Sequence, residues 1–357
     1  VKTILCRYQS KCAGCAWLDK PLSEQRQQKA SALIGKNIPE NIGWVDCGSL
    51  ALRDRVDLTW EDGRLGLFEL GETRRILDLE TCPMLTPSLQ AWFETYRTRK
   101  PAIRKGSVRL RVSPNGLRGV WLDFANQDVK HLFEEKEYLR WLSEQAIVEI
   151  GQRRKRLEWI EGQPKLRDPQ LEPWFETPGP QGRPIPLYTS IAGFTQTGFR
   201  ANEILVNEVL SRVRESNEKN WLELFAGSGN FALAIAALGL DVTAVEMDER
   251  ALEGLRRSAD EAKLKVEVKR ADLYRPQELP GGAWIVDPPR SGLKNLVETI
   301  AISKPTTLIY VSCWSESFLQ DAEKLHALGY RLTKVSGVDQ FVHSPHVEWV
   351  ATFNFSV

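Results

Sequence analysis

The chain has 357 residues, 42% of them apolar and 27% charged, with a formal net charge of +1 at pH 7. That length can carry two or three domains with cores of their own, and the balance is that of an ordinary globular protein. The chain holds no apolar run long enough to span a membrane as a helix. Nor does it announce a nucleic-acid partner, so local charge must carry that argument.

The opening Val1-Lys2-Thr3-Ile4-Leu5-Cys6 has no signal-peptide core and no small-residue cleavage site, so the expected location is cytoplasmic. Cys6, Cys12 and Cys15 crowd the start, whereas Cys47, Cys82 and Cys313 stand apart. In a cytosolic protein such a cluster reads as a metal site rather than a disulfide set. Arg55 to Trp60 and Leu65 to Glu69, joined by Glu61-Asp62-Gly63, predict a β-hairpin. Val108 to Val112 and Gly119 to Phe124, joined by Pro114-Asn115-Gly116, predict another, and Glu158 to Gly162 a further edge. Basic residues run through this β region at Arg97-Thr98-Arg99-Lys100, Arg104-Lys105, Arg109, Arg111, Arg118 and Arg153-Arg154-Lys155-Arg156. They suit phosphate contacts, although any single run is more often a solvated face. Trp92, Trp121, Trp141, Trp159 and Trp174 can stack on bases or fill the core.

A Pro/Gly-rich stretch, Pro178 to Pro184, leads into a second region, with the main boundary near 180–200. From there strand and helix alternate. Strands are predicted at Trp221 to Phe225, Asp241 to Glu246, Lys265 to Arg270, Trp284 to Asp287 and Thr307 to Ser312. Helices are predicted at Phe231 to Leu238, Glu249 to Ala262 and Phe318 to Leu328. Arg331 to Val338 and Val347 to Phe355 follow as a possible antiparallel pair. The expected fold is α/β, with a doubly wound, mostly parallel sheet.

Glu223-Leu224-Phe225-Ala226-Gly227-Ser228-Gly229-Asn230 closes a strand and opens a helix. Glycines there let a backbone approach a ligand, and Glu246 at the next strand end can grip ribose hydroxyls. Asp272, ending the third strand, can reach a base amine. The pattern suits a nucleoside, while a dinucleotide would want the fuller Gly-x-Gly-x-x-Gly, whose last place Ala232 fills only loosely. Downstream, Asp287-Pro288-Pro289-Arg290 and Val311-Ser312-Cys313 each follow an apolar strand, and His346-Val347-Glu348 comes last. A thiol can add to an electron-poor pyrimidine ring, which makes the neighbouring ring carbon nucleophilic enough to take a methyl group. The adduct must then lose a proton, so a base is needed, and Glu348 is the candidate. Taken singly, a cysteine is more often a small buried hydrophobe and a glutamate a surface carboxylate; the joint pattern reverses that.

These motifs, with Phe194-Thr195-Gln196-Thr197 and Phe341-Val342-His343-Ser344-Pro345-His346-Val347-Glu348, resemble the RNA uracil-5-methyltransferases, and the resemblance covers nearly the whole chain. It implies an S-adenosylmethionine-dependent enzyme that makes 5-methyluridine, with a Rossmann-like class I methyltransferase domain and a β-rich part that helps hold RNA. Carried over by position, the nucleophile is Cys313 and the base Glu348. Gln196, Phe225, Gly227, Asn230, Glu246, Asp272 and Asp287 would hold the cofactor. The target base must leave its stack to reach the thiol. Cys6, Cys12, Cys15 and Cys82 match the ligands of a [4Fe–4S] cluster in some members. Spacing alone suits structural zinc as well.

The expected parts are a cysteine-cluster region at 1–48 and 75–90, a β-rich RNA-binding region at 49–180 and a methyltransferase domain at 185–357. This looks like the shorter branch without the N-terminal TRAM barrel. Its expected RNA is 23S rRNA first and tRNA second, with no membrane, no obligate protein partner and no need for more than a monomer. The sequence departs from the family at Trp314-Ser315, where Asn-Pro is usual, at Gly198, where Asn is usual, and at Val342, where Pro is common. The rivals are an amino-group methyltransferase, disfavoured because Arg290 stands where it needs an aromatic residue, and a non-catalytic RNA-binding factor on the same scaffold.

Overall fold

A computed structural model describes residues 6–33, 38, 41–71, 75–151 and 154–356. Val1 to Leu5 and Arg153 of the basic run lie outside these described residues. The chain divides into two compact units. One takes Val1–Asp19, Ser49–Phe175 and Thr189–Phe199; the other takes Lys20–Gly48, Glu176–Tyr188 and Arg200–Val357. Where the sequence suggests one main boundary, the chain thus passes between the units repeatedly, and the stretch 1–48 is shared between them.

The first unit is built on an eight-stranded sheet. Arg55–Glu61 alternates buried and exposed side chains, so Val56, Leu58 and Trp60 enter the core. Asp62 and Gly63 both have positive φ, 48° and 77°, as a two-residue hairpin turn requires. Lys105–Val112 pairs antiparallel with Arg118–Phe124 as the sequence predicts. Glu161 and Gly162 are not part of an edge strand. They form the turn between Lys155–Ile160 and Gln163–Arg167, again with positive φ at both positions. One pairing is parallel, between Arg118–Phe124 and Ile147–Ile150, reached through helices Asn126–Glu134 and Lys136–Gln145. A further helix, Pro87–Arg97, starts on a Thr86 cap with proline in its first turn and buries Leu89, Trp92, Phe93 and Tyr96.

The second unit holds another eight-stranded sheet. Its strands lie in the order Gly43–Val45, Tyr330–Val338, Glu348–Phe355, Thr307–Ser312, Ala283–Val286, Asn220–Leu224, Asp241–Glu246 and Glu267–Arg270. All neighbours run parallel except Glu348–Phe355, which is antiparallel to both strands beside it. The strand order reverses between Asn220–Leu224 and Ala283–Val286, and open α/β sheets bind ligands at the carboxyl ends of strands around such a switch point. Helix Glu249–Ala262 is capped by Asp248, which accepts from the N–H groups of Arg250 and Ala251. Trp284, Tyr310, Phe318, Trp349 and Phe353 are buried in the core of this sheet.

Candidate active site

Strand register brings the thiol and the carboxylate together. Ser312, the last residue of its strand, pairs with Trp349, and Glu348 is the first residue of the reversed strand. Cys313 therefore leaves its strand beside Glu348. Asp287 begins just beyond Val286, which pairs with Tyr310 in the same strand as Ser312, and its N–H donates to Leu224 O at 3.4 Å. Three strand ends thus deliver Asp287, Cys313 and Glu348 to one edge.

Burial sets the electrostatics. The Cys313 thiol is pushed up to about 11, first by loss of solvent and then by the charges of Glu348 and Asp287; Arg290 opposes the shift with its charge and a hydrogen bond. Glu348 and Asp287 are themselves held well above the ordinary carboxyl range. Burial is the main cause for both, and the charge of Asp287 adds to it at Glu348. Gln340 Nε2 donates to Glu348 Oε2 at 2.8 Å and favours the charged form. Arg290 also lies over the Trp314 ring at 5.5 Å, and Trp314 packs against His346 with ring centroids 5.6 Å apart. The turn carrying Arg290 is pinned from behind: Asp321 accepts from Leu293 N at 2.7 Å and from the Tyr310 hydroxyl at 2.8 Å.

The glycine turn lies across the switch point. Gly227 has φ 54° and open space where a Cβ would stand, so its backbone is accessible. Its N–H donates to Glu246 Oε2 at 3.0 Å, and Glu246 Oε1 accepts from Met247 N and Asp248 N. Phe225, at φ 60°, turns its ring towards Tyr274, with centroids 5.5 Å apart. Asn230 exchanges two amide hydrogen bonds with Asn202, at 2.8 and 2.9 Å. Glu223, fully buried, accepts from Phe231 N and Ala232 N and so caps the helix that follows; burial pushes it up to about 8. Asp272 accepts from Tyr274 N and pairs with Arg275 at 3.2 Å.

Gln196 belongs to the other unit. It is buried, and the backbone on either side is clamped: Arg55 Nη1 donates to Thr195 O, and Asp54 N donates to Thr197 O. Cys6, Cys12, Cys15 and Cys82 of that unit line one small cavity with Tyr8, Leu79 and Pro83. Burial raises the Cys12, Cys15 and Cys82 thiols, and neighbouring sulfurs add to the rise. Among the described residues, no group of three or more His, Cys, Asp or Glu forms a site able to hold a metal ion.

The structure corrects part of the RNA reading. Arg111 is fully buried and donates to the carbonyls of Ser190, Ile191 and Trp174, so it braces the fold rather than meeting a phosphate. Trp92 and Trp174 are likewise buried and unavailable for stacking. Arg97, Lys105, Arg109 and Arg156 are each paired with a carboxylate of the same unit. The sequence motifs assign no role to Arg290, Gln340, Asn202 or Asp321. The first two lie inside or beside quoted motifs; Asn202 and Asp321 lie on helices that carry no motif.

Numbering the strands from Asn220 onward, the sheet order is 3-2-1-4-5-7-6 with the seventh reversed. Together with a glycine turn after the first strand and an acid after the second, this is a class I methyltransferase. The model of the tRNA (uracil-5-)-methyltransferase family matches residues 181–353. An RNA methyltransferase of Bdellovibrio bacteriovorus is 36% identical over 97% of this chain and 94% of its own length. The 23S rRNA (uracil(1939)-C(5))-methyltransferase RlmD of Chromohalobacter salexigens is 28% identical over 96% of this chain and 74% of its own length. The crystal structure of the Pyrococcus abyssi tRNA (uracil-54, C5)-methyltransferase in complex with S-adenosyl-L-homocysteine superposes with a TM-score of 0.71. It is 20% identical, covering 96% of this chain and 86% of that one. The chain belongs to the tRNA (uracil-5-)-methyltransferase family, and is an S-adenosylmethionine-dependent RNA uracil-5-methyltransferase.

The raised thiol has a direct consequence. Alkylation of Cys313 in the free protein, followed by mass spectrometry of its peptide, should speed up about tenfold per pH unit from pH 7 to 9.5, since the thiolate is the nucleophile. Above about pH 8, where Glu348 is ionised, Glu348→Gln removes a like charge and should speed the reaction, with little effect at pH 7; Arg290→Ala should slow it. A rate that levels off below pH 8 would contradict this electrostatic picture.

Proposed function

We propose that the chain methylates carbon 5 of a uridine in RNA through a covalent adduct on Cys313, with Glu348 as the base of the final step. The observation that carries this reading is the adjacency of a thiol and a buried carboxyl at one end of the sheet. S-adenosylmethionine, when bound, supplies the methyl group; Phe225, Gly227, Asn230, Glu246, Asp272 and Asp287, with Gln196, are the residues that would hold it. The thiol must first lose its proton to solvent, which the part-buried Cys313 can reach, and Arg290, which lowers its pKa through both charge and a hydrogen bond, is suited to stabilise the thiolate. Cys313 Sγ then bonds to carbon 6 of the uracil and the electron pair moves towards carbon 5, which takes the methyl group. Carbon 5 now bears a hydrogen and a methyl. Glu348, whose raised basicity suits the task, accepts that hydrogen as a proton, the carbon–sulfur bond breaks and the double bond returns.

The substrate we favour is 23S rRNA, the RNA on which several relatives are named as acting; tRNA is the second choice. The same reading has the chain working in the cytoplasm as a monomer without an obligate protein partner. We further propose that Cys6, Cys12, Cys15 and Cys82 hold a [4Fe–4S] cluster. In support, all four line one cavity that no His, Asp or Glu shares with them. A four-iron cluster is larger than one ion, so its ligands need not converge on a single point. Methyl transfer consumes no electrons, so the cluster's role is structural.

Two measurements test these readings. Cys313→Ala should abolish methyl transfer yet keep S-adenosylmethionine binding. Glu348→Gln should cut turnover by about a hundredfold or more while a protein–RNA adduct accumulates on denaturing gels. An active Cys313→Ala enzyme would remove the mechanism. Protein purified without air should be brown and carry iron and sulfide, both lost in Cys82→Ser; a colourless protein holding zinc would overturn the cluster.

A further inference from the structure

Helix Leu22–Ser31 is unusual because its buried face is polar. Gln25 and Lys29 are its buried residues, with 0% and 2% exposure, so no apolar stripe docks it. Both side chains reach one target, the loop from Asp339 to Val347 that leads into Glu348; Gln25 Nε2 also donates to Lys20 O at 2.8 Å. Gln25 Oε1 accepts from His343 N at 2.7 Å, and Gln25 Nε2 meets His343 Nδ1 at 3.1 Å. Lys29 Nζ donates to Asp339 Oδ1 at 2.7 Å and to Phe341 O at 3.2 Å. Arg26 reaches the other oxygen of the same carboxylate at 3.0 Å.

A buried lysine–aspartate pair is a poor way to gain stability. Well-packed apolar residues would serve as well or better, and the best-attested use of such pairs is to fix register. The register fixed here is that of the loop. His343 sits at φ 64°, a left-handed conformation that costs energy unless its surroundings impose it, and Gln25 holds it from both its backbone and its ring. Gln340, next to the clamped Asp339, is the residue that donates to Glu348.

We propose that Gln25 and Lys29 are positioning residues for the elimination step, setting the loop so that Gln340 and the strand start hold Glu348 against the adduct. The proposal rests on Glu348 being the base. Gln25→Met keeps volume and removes both hydrogen bonds to His343 together with the one to Lys20 O; Gln25→Glu also loses the bond to Lys20 O but keeps an acceptor for His343 N–H and can accept from Nδ1–H, so the pair isolates the His343 contacts. Lys29→Met, with Arg26 left on Asp339, serves as a second variant should Gln25→Met not fold.

The test uses the full chain, unmodified 23S rRNA and labelled S-adenosylmethionine, with Glu348→Gln as the reference. Gln25→Met should lower kcat about tenfold to a hundredfold, the scale of a misplaced catalytic group. KM for both substrates should hold within about twofold, and the trapped adduct should rise as in the reference. Gln25→Glu should recover most of the turnover. Lower turnover in Gln25→Met without adduct, beside a reference that does accumulate it, would overturn the positioning role and leave the helix as fold support. A reference that fails to accumulate adduct would instead remove Glu348 as the base, and this inference with it.

Discussion

One reversed strand organises this protein's chemistry. In a parallel sheet every strand ends at the same edge, so that edge can receive side chains only from carboxyl ends. Glu348–Phe355 runs the other way between Thr307–Ser312 and Tyr330–Val338, and so brings its first residue to the edge where its neighbours deliver their last. Glu348 and Cys313 become neighbours because one strand begins where the other stops. A slip of one residue would turn Glu348 to the opposite face of the sheet. The register is secured by Trp349, whose indole N–H donates to Ser315 Oγ at 2.9 Å and whose ring packs on Trp44.

The second constraint is electrostatic. Glu223, Asp287 and Glu348 are all buried near the carboxyl edge and all hold protons more tightly than free carboxyls. Two helix N–H groups donate to Glu223 and the Gln340 amide to Glu348, while Asp287 is placed by its backbone N–H, which donates to Leu224 O. Arg290 is the cation set against this group, and its guanidinium is shared between the thiol and the Trp314 ring. Trp314, where the family usually has asparagine, therefore does not empty the site beside the nucleophile. It builds a stack of Arg290, Trp314 and His346 there.

Much of this was legible in the sequence, and for identifiable reasons. Apolar strands ending in Gly, Asp-Pro-Pro or Ser-Cys mark themselves twice, by composition and by the turn that follows, so the parallel core and the ends bearing Phe225, Asp287 and Cys313 could be read directly. The helix Leu22–Ser31 could not, because its buried positions are Gln25 and Lys29 and no apolar period exists to find. Gly43–Val45 is too short to alternate, and its place beside Tyr330–Val338 depends on a pairing almost three hundred residues away in sequence. The helices Pro87–Arg97 and Lys136–Gln145 were hidden inside a region whose hairpin turns argued for β structure. Arg111 and Trp174 stay open between RNA surface and fold in the sequence because charge and aromaticity carry no label of burial; the structure spends them on backbone carbonyls and the core.

The central claim is that this site places a methyl group on carbon 5 of uridine in RNA. The most direct measurement is incubation of the air-free purified protein with labelled S-adenosylmethionine and unmodified 23S rRNA or tRNA, followed by nucleoside analysis. The account predicts label in 5-methyluridine, from 23S rRNA before tRNA. Label in any other nucleoside, or none from either RNA by a protein that still binds S-adenosylmethionine, would contradict it.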